Sequence, residues 1–352
     1  MDLSSLLERT GEPAVLAVGG VAVGLLFGAC AQRSAFCTRA AVGELVHRPG
    51  QQLAVWLLAF AAGLVTVQAL VLAGWIDVSG TRQLAARGSL SGAIVGGLLF
   101  GGGMVVARGC ASRLLVLSAT GDAGALLWTA VFALTAQAAL AGVLAPAREA
   151  VSTWWTVEGG SSRDLLAVLH AGHGIGLAIG ALALAAAAAA AWRSRTGAGK
   201  CLAGLGVGLA VALAWAFNAR VAAASFQLVP VQGITFAGPS AEWLMRLAAR
   251  PAPGINFDFG LLPGVLAGAF LAALAGGQLE PTGVHRGDGV RSTLVGAVMM
   301  GFGAMLAGGC AVGAGLSGGA IFSLTAWTAL AAMVAGGALA DRLLGRFAQP
   351  AA

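Results

Sequence analysis

Apolar runs long enough to cross a bilayer recur from one end of this sequence to the other. A helix needs about 20 such residues to span the hydrocarbon. Candidates lie at 13–31, 53–76, 91–107, 123–145, 165–191, 202–217, 259–277, 292–308 and 320–340. Of the 352 residues, 58 % are hydrophobic and only 10 % charged, against roughly 25 % charged in a soluble domain. So few charges cannot cover a water-exposed surface of this size. That excludes a disordered protein, a secreted disulfide scaffold and a typical cytosolic enzyme. The expected class is an all-α polytopic membrane protein of about nine spans, read as one membrane domain over 1–352.

Shorter apolar pieces follow Cys110 and Cys310 and lie around 221–240. They are too short to cross, and are expected to be re-entrant half-helices whose backbone is sheltered by protein. The segment VQGITFAGPSAEW (231–243) is broken by Gly and Pro in the same way. Met1–Gly11 has no basic n-region or cleavage site and is not expected to be a removable signal peptide.

The net charge of +6 fits arginines placed in short loops for membrane orientation rather than a nucleic-acid patch. With the N-terminus outside and the C-terminus cytoplasmic, the inner loops hold Arg33, Arg39, Arg48, Arg108, Arg113, Arg193, Arg195, Lys200, Arg286, Arg291, Arg342 and Arg346, which is 12 of the 20 basic residues.

An internal repeat organises the chain. Shifted by 200 residues without a gap, IVGGLLFGGGMVVARGCA (94–111) meets LVGAVMMGFGAMLAGGCA (294–311), with 8 of 18 positions identical. Apolar composition accounts for matched Ala and Val. It does not account for Gly101/Gly301, Gly103/Gly303, Gly109/Gly309 and Cys110/Cys310 in register. The expected division is a first repeat at 1–164, a connector helix and loop at 165–200, and a second repeat at 201–352. One connecting span between four and four makes the second copy inverted, an architecture that places a transport site where the copies meet.

The five cysteines, Cys30, Cys37, Cys110, Cys201 and Cys310, contain no C-x-x-C pair, so zinc-knuckle and dithiol readings have little support. His170 and His173 lack further ligands nearby, and no metal or cofactor is expected. Cys201 reads as an inert core thiol. Cys30 precedes Cys37 by one heptad, so an unbroken helix would present both on one face. Cys110 and Cys310 each follow a glycine that ends an apolar span. A helix starting there would offer free amides and a positive dipole end to an anion, beside a soft S–H donor. Asp and Glu are nearly absent from the spans, which gives no sign of a carboxylate proton relay. Trp154, Trp155 and Trp243 are expected in interfacial belts.

Three segments together resemble the YeeE/YedE family of sulfur transport proteins: GLLFGACAQRSAFCTRAAVGEL (24–45), with its Q-R-S-x-F-C run; GGMVVARGCASRLLVLSATGD (102–122), with A-R-G-C; and GFGAMLAGGCAVGAGLSGGAIFSLTAW (301–327), with a second G-C. In the second half, WAFNAR (215–220) is the candidate counterpart of the first run. The resemblance implies an importer of thiosulfate in the bacterial inner membrane. It implies an hourglass of two inverted halves, and cysteines that pass the anion along, carried over here to Cys37, Cys110 and Cys310. Gly109 and Gly309 would shape the bends, and Arg33 and Arg108 would charge a vestibule. A cytosolic TusA-like sulfur-carrier protein is the implied partner. Rival readings are a transporter of sulfide, a persulfide-like species or a selenium compound, a membrane thiol oxidoreductase, and an assembly protein without transport.

Overall fold

The computed structural model describes residues 10–225, 229–248, 254–279, 281–283 and 289–345. In chain order the elements are α1 (Glu12–Ser34), α2 (Thr38–Val46), α3 (Gln51–Leu72), the single turn α4 (Arg82–Ala85), β1 (Gly88–Ser89), α5 (Leu90–Val106), α6 (Ala111–Ala119), α7 (Ala123–Ala141), α8 (Ala145–Ser152), β2 (Thr156–Val157), α9 (Leu165–Val168), α10 (His173–Arg193), α11 (Ala198–Ala224), α12 (Ala237–Ala248), α13 (Phe257–Ala275), α14 (Gly289–Leu306), the π-helix π1 (Ala311–Gly318) and α15 (Leu324–Leu344). Strands β1 and β2 form a two-residue antiparallel ladder, with Gly88 opposite Val157.

Among the described residues, eight helical stretches are long and apolar enough to cross a bilayer, and α5 with α6 makes a ninth, bent by 41°. This is the all-α polytopic class expected. Span limits move where local chemistry intervenes. The fifth run starts at His173 rather than 165, because His170 adopts φ 50° and separates the turn α9 from α10. His173 then opens α10 with its Nδ1 3.1 Å from Gln68 Oε1. The sixth run extends to 198–224, and the seventh starts at Phe257, where Asn256 caps it by accepting the Phe259 amide at 2.9 Å. Arg286 and Arg346 lie outside the described residues.

Glycine lets the helices approach backbone to backbone. On α1, a Cβ placed at Gly20, Gly24 or Gly28 would lie 2.1–2.4 Å from carbonyl oxygens of Phe257, Leu261 and Val265 on α13. On α11, a Cβ at Gly208 would lie 2.2 Å from the Ala59 oxygen of α3. Between α5 and α14 the contact is reciprocal. A Cβ at Gly96 would meet the Gly303 oxygen at 2.6 Å, and one at Gly303 would meet the Gly96 oxygen at 2.7 Å. Gly103 and Gly296 face each other in the same way, at 2.7 Å in both directions. Pairing of 96 with 303 and of 103 with 296 means that α5 and α14 run antiparallel. Their C-terminal ends, which lead to Cys110 and Cys310, therefore point to opposite ends of the pair.

Proline inside a span leaves a carbonyl to be satisfied. Pro263 of α13 has no N–H to give to Phe259, four residues back. Trp243 fills the gap: its indole Nε1 donates to the Phe259 oxygen at 3.2 Å, and its ring stacks on Phe259 with centroids 4.6 Å apart. Trp243 is half-buried in this contact, whereas Trp154 and Trp155 are exposed. Deep in the bundle, Gln68 donates from Nε2 to the Ala320 oxygen at 2.8 Å. Outside the spans, Arg163 is buried and donates to the Ala86 oxygen at 2.6 Å and to Thr325 Oγ1 at 2.6 Å. Burial lowers its pKa from the ordinary arginine value.

Candidate functional site

The short helices α2, α6 and π1 each begin at a cysteine. Cys37, Cys110 and Cys310 are their N-cap residues, all in extended conformation and all buried. The two repeat-related breaks are built alike. The Ala107 amide donates to the Gly103 oxygen and the Gly109 amide to the Met104 oxygen; 200 residues on, Ala307 donates to Gly303 and Gly309 to Ala304. The left-handed residue is Arg108 at φ 59° in the first break and Gly308 at φ 80° in the second. A glycine takes that conformation freely, while an arginine stores roughly 1 kcal/mol of backbone strain there. Past each cysteine, the amides of Leu114 and Ala314 donate to the Cys110 and Cys310 carbonyls.

The structure brings Cys37 and Cys110 together. Their sulfurs lie 3.9 Å apart, with the Cys110 thiol donating. Ser112 Oγ stands 3.4 Å from the Cys110 sulfur. The amides of Thr38 and Arg113 face Cys110, and that of Ala40 faces Cys37. Two helix starts therefore converge on one pair of thiols, with their positive dipole ends and free amides directed inward.

This arrangement corrects one expectation. Cys30 and Cys37 do not share a helical face. Helix α1 stops at Ser34, Ala35 turns left-handed at φ 52°, and Cys37 starts a new helix. Cys30 remains in α1, half-buried against Gly206 of α11.

Basic residues lie near the pair. Arg33 and Arg108 are exposed. Arg39 is buried, within electrostatic range of Cys37, Cys110, Arg108 and Asp341. Arg113 is half-buried, acts electrostatically on Cys37, and donates to Gln32 Oε1 at 3.4 Å. Gln32, the first residue of the QRSAFC run, also donates to Gln278 Oε1 at 3.2 Å. Sequence reasoning placed Arg39 and Arg113 in inner loops. The usable signal is their distance into α2 and α6: each lies two or three residues past a cysteine that starts a helix.

The second half of the site is also corrected. WAFNAR lies within α11, where Trp215 and Asn218 are buried in an unbroken helix. The residues at the place of the first run are Gln232–Ala237, QGITFA, again offset by 200. They form neither helix nor strand up to Phe236 and lead into α12 as Phe36–Cys37 lead into α2. Phe27 packs edge-on to both Phe36 and Phe236, at centroid distances of 6.4 and 5.1 Å. Ala237 thus occupies the position of Cys37. The segment is sheltered by protein: Ser317 Oγ donates to the Ile234 oxygen at 2.6 Å, and Thr235 lies against Gly313 of π1. A cavity of roughly 780 Å³, lined by Trp75, Asp77, Arg82 and Val229–Val231 among others, opens beside this segment.

A family described as sulphur transport matches residues 33–339, a range that holds all three cap cysteines. A thiosulfate transporter TsuA of Spirochaeta thermophila is 25 % identical over 325 residues, covering 88 % of this chain and 93 % of that protein. A thiosulfate transporter TsuA of Escherichia coli K12 is 36 % identical over 104 residues, covering 30 % of this chain and 29 % of that protein. With a family match reaching from the break after α1 to the last span, this chain belongs to the sulphur transport family.

Proposed function

We propose that this chain carries thiosulfate across the membrane along a path lined by Cys37, Cys110 and Cys310. The observation that carries the reading is the meeting of the Cys37 and Cys110 sulfurs at 3.9 Å between two helix starts. Thiosulfate is a dianion with a terminal sulfur, and its water must be replaced by polar groups because bare transfer into hydrocarbon is prohibitive. Thiols supply weak S–H donors to the soft end, and the amides ahead of α2, α6 and π1 supply donors and dipole to the oxygens. Arg39 and Arg113 offset the charge near the first two thiols. Weak, successive contacts favour passage over trapping. Gly109 and Gly309 set each cysteine against the bend, and the exposed Arg33 and Arg108 raise anion concentration at the mouth.

The reciprocal Gly96–Gly303 and Gly103–Gly296 contacts and the matching breaks at 107–110 and 307–310 support a pair of inverted repeats, 1–164 and 201–352, joined by 165–200 in an hourglass. On this reading the end that gathers Arg39, Arg48, Arg193, Arg195, Lys200 and Arg342 faces the cytoplasm across a bacterial inner membrane, with the N-terminus outside. That face would receive a TusA-like sulfur carrier.

Uptake of radiolabelled thiosulfate tests the reading in cells without other importers, comparing the intact chain with Cys110→Ala, Cys310→Ala and Cys37→Ala at equal membrane expression. Uptake that collapses in the first two variants supports it. A well-expressed intact chain with no uptake overturns thiosulfate in favour of sulfide, a persulfide-like species or a selenium compound. The close sulfur pair also favours a second reading, a thiol oxidoreductase. Equal thiol counts under oxidising and reducing conditions sink that alternative.

A further inference from the structure

We propose that Asp258 carries a proton with the transported anion and so couples transport to a proton gradient, an inference that rests on the transport reading above. Sequence inspection passes over this residue, because the apolar run starts at 259. The structure starts α13 at Phe257 and places Asp258 inside the first turn of a membrane-spanning helix. Its Oδ1 is buried and has no hydrogen-bond partner. Buried polar atoms are nearly always partnered, and an ionisable residue within a span points to a pathway. An oxygen without a donor is a place for a proton.

The groups around Asp258 are few. Glu242 of α12, Arg82 of α4 and the Gln232 side chain act on it electrostatically. Glu242 is itself engaged: its Oε1 accepts Asn256 Nδ2 at 2.8 Å and faces Arg246 at 3.7 Å. Of the other elements against α13, α1 brings Glu12, bound to Ser225, and α6 brings Arg113, bound to Gln32. Arg82 lines the 780 Å³ cavity with Asp77. Hydrogen bonds from Ser79 hold Asp77 below the usual carboxylate range, so it stays ionised. Val231, next to Gln232, lines the same cavity, which gives protons a wet approach.

The route from Asp258 to the anion path is short. The Gln232 side chain acts on Asp258, and its carbonyl accepts Asn218 Nδ2 at 2.9 Å. The next residues, Gly233–Thr235, pack on π1, the helix that Cys310 starts. A proton arriving on Asp258 removes the charge that Gln232 and Arg82 attend to. That biases the segment lying against the Cys310 helix, a local charge change read out by a two-state element. A dianion entering a negative interior needs such compensation, because each of its charges is opposed by the membrane potential.

Purified protein in liposomes with a trapped pH-sensitive dye tests this. Thiosulfate added outside should acidify the interior, and an inward proton gradient should drive accumulation. Asp258→Asn should abolish the acidification and cut gradient-driven accumulation about 10-fold or more, while thiosulfate counterflow without a gradient persists. Asp258→Glu should restore part of the coupling. Counterflow by the intact protein with no acidification overturns the proposal, as does accumulation driven by a sodium gradient alone or an Asp258→Asn variant that accumulates like the intact chain. The dye signal from the intact protein decides the matter even where the variant is unstable. Absence of counterflow in the intact protein instead overturns the thiosulfate reading itself.

Discussion

The Cys110 sulfur stands 3.9 Å from the Cys37 sulfur although 73 residues separate them in sequence. Each belongs to the N-cap residue of a short helix, so the contact is fixed by two helix starts rather than by side-chain choice. The pair should act as one unit. Cys37→Ala and Cys110→Ala should each lower uptake about 10-fold, the equivalent of one charged hydrogen bond, and the double variant should lose little more. Initial uptake rates from a double-mutant cycle check this; strictly multiplicative losses would show that the thiols act independently.

Trp243 and Pro263 form a second unit. Removing the indole donor with Trp243→Phe leaves the Phe259 oxygen unmet and should destabilise the protein by about 1–2 kcal/mol. Pro263→Ala restores a backbone N–H for that same oxygen. The double variant should therefore recover most of the loss, measured as thermal midpoints in detergent. No recovery would show that ring stacking on Phe259, and not the hydrogen bond, is what Trp243 contributes.

The two repeat-related glycines should not tolerate alanine equally. A Cβ at Gly309 would lie 2.9 Å from the Ala314 amide and 3.1 Å from the Gly313 carbonyl carbon, both backbone atoms of π1. At Gly109 it would meet only the end of the Leu114 side chain, at 3.0 Å. Gly309→Ala should cost about 1–3 kcal/mol by overpacking and displace Cys310, while Gly109→Ala should cost under about 1 kcal/mol. Thermal midpoints and the rate of Cys310 alkylation read both effects. Equal costs would show that π1 shifts freely.

The α1–α13 contact offers a sharper contrast. Gly24→Val would drive a side chain into the Leu261 carbonyl, 2.4 Å from the Cβ position, and should prevent stable folding in the membrane. Gly174→Ala, in the exposed first turn of α10 with nothing near its Cβ position, should change stability by about 0.5 kcal/mol at most. Detergent-solubilised yield and monodispersity distinguish them.

Periodic apolar length made the spans legible in sequence, since a bilayer imposes length more strictly than any packing rule. The G-C pairs were legible because two rare residues kept a 200-residue register. What stayed hidden has physical causes. The break at Ala35 leaves no mark because an ordinary residue, not Gly or Pro, takes the left-handed turn. The counterpart of the QRSAFC run stayed hidden because Ala237 replaces its cysteine, the very residue by which the run is recognised. Arg39 looked like a loop cation until α2 turned it beside the thiols. Asp258 fell one residue short of an apolar run whose limit hydropathy alone cannot place.

The seam between α5 and α14 carries a mechanical consequence. At Gly96, Gly103, Gly296 and Gly303 backbone meets backbone, with only Met300 and Leu99 side-chain atoms beside the contact. Such a joint has little to repack, so it should behave as a spine rather than a pivot. The large spans on either side are held as a frame. Motion that admits and releases cargo would then fall to the pieces shorter than a span, α2, α6, π1 and the irregular segment before α12. These small parts have little mass and little buried area to disengage. The molecule is built less like two rocking halves than like a fixed collar with small internal latches.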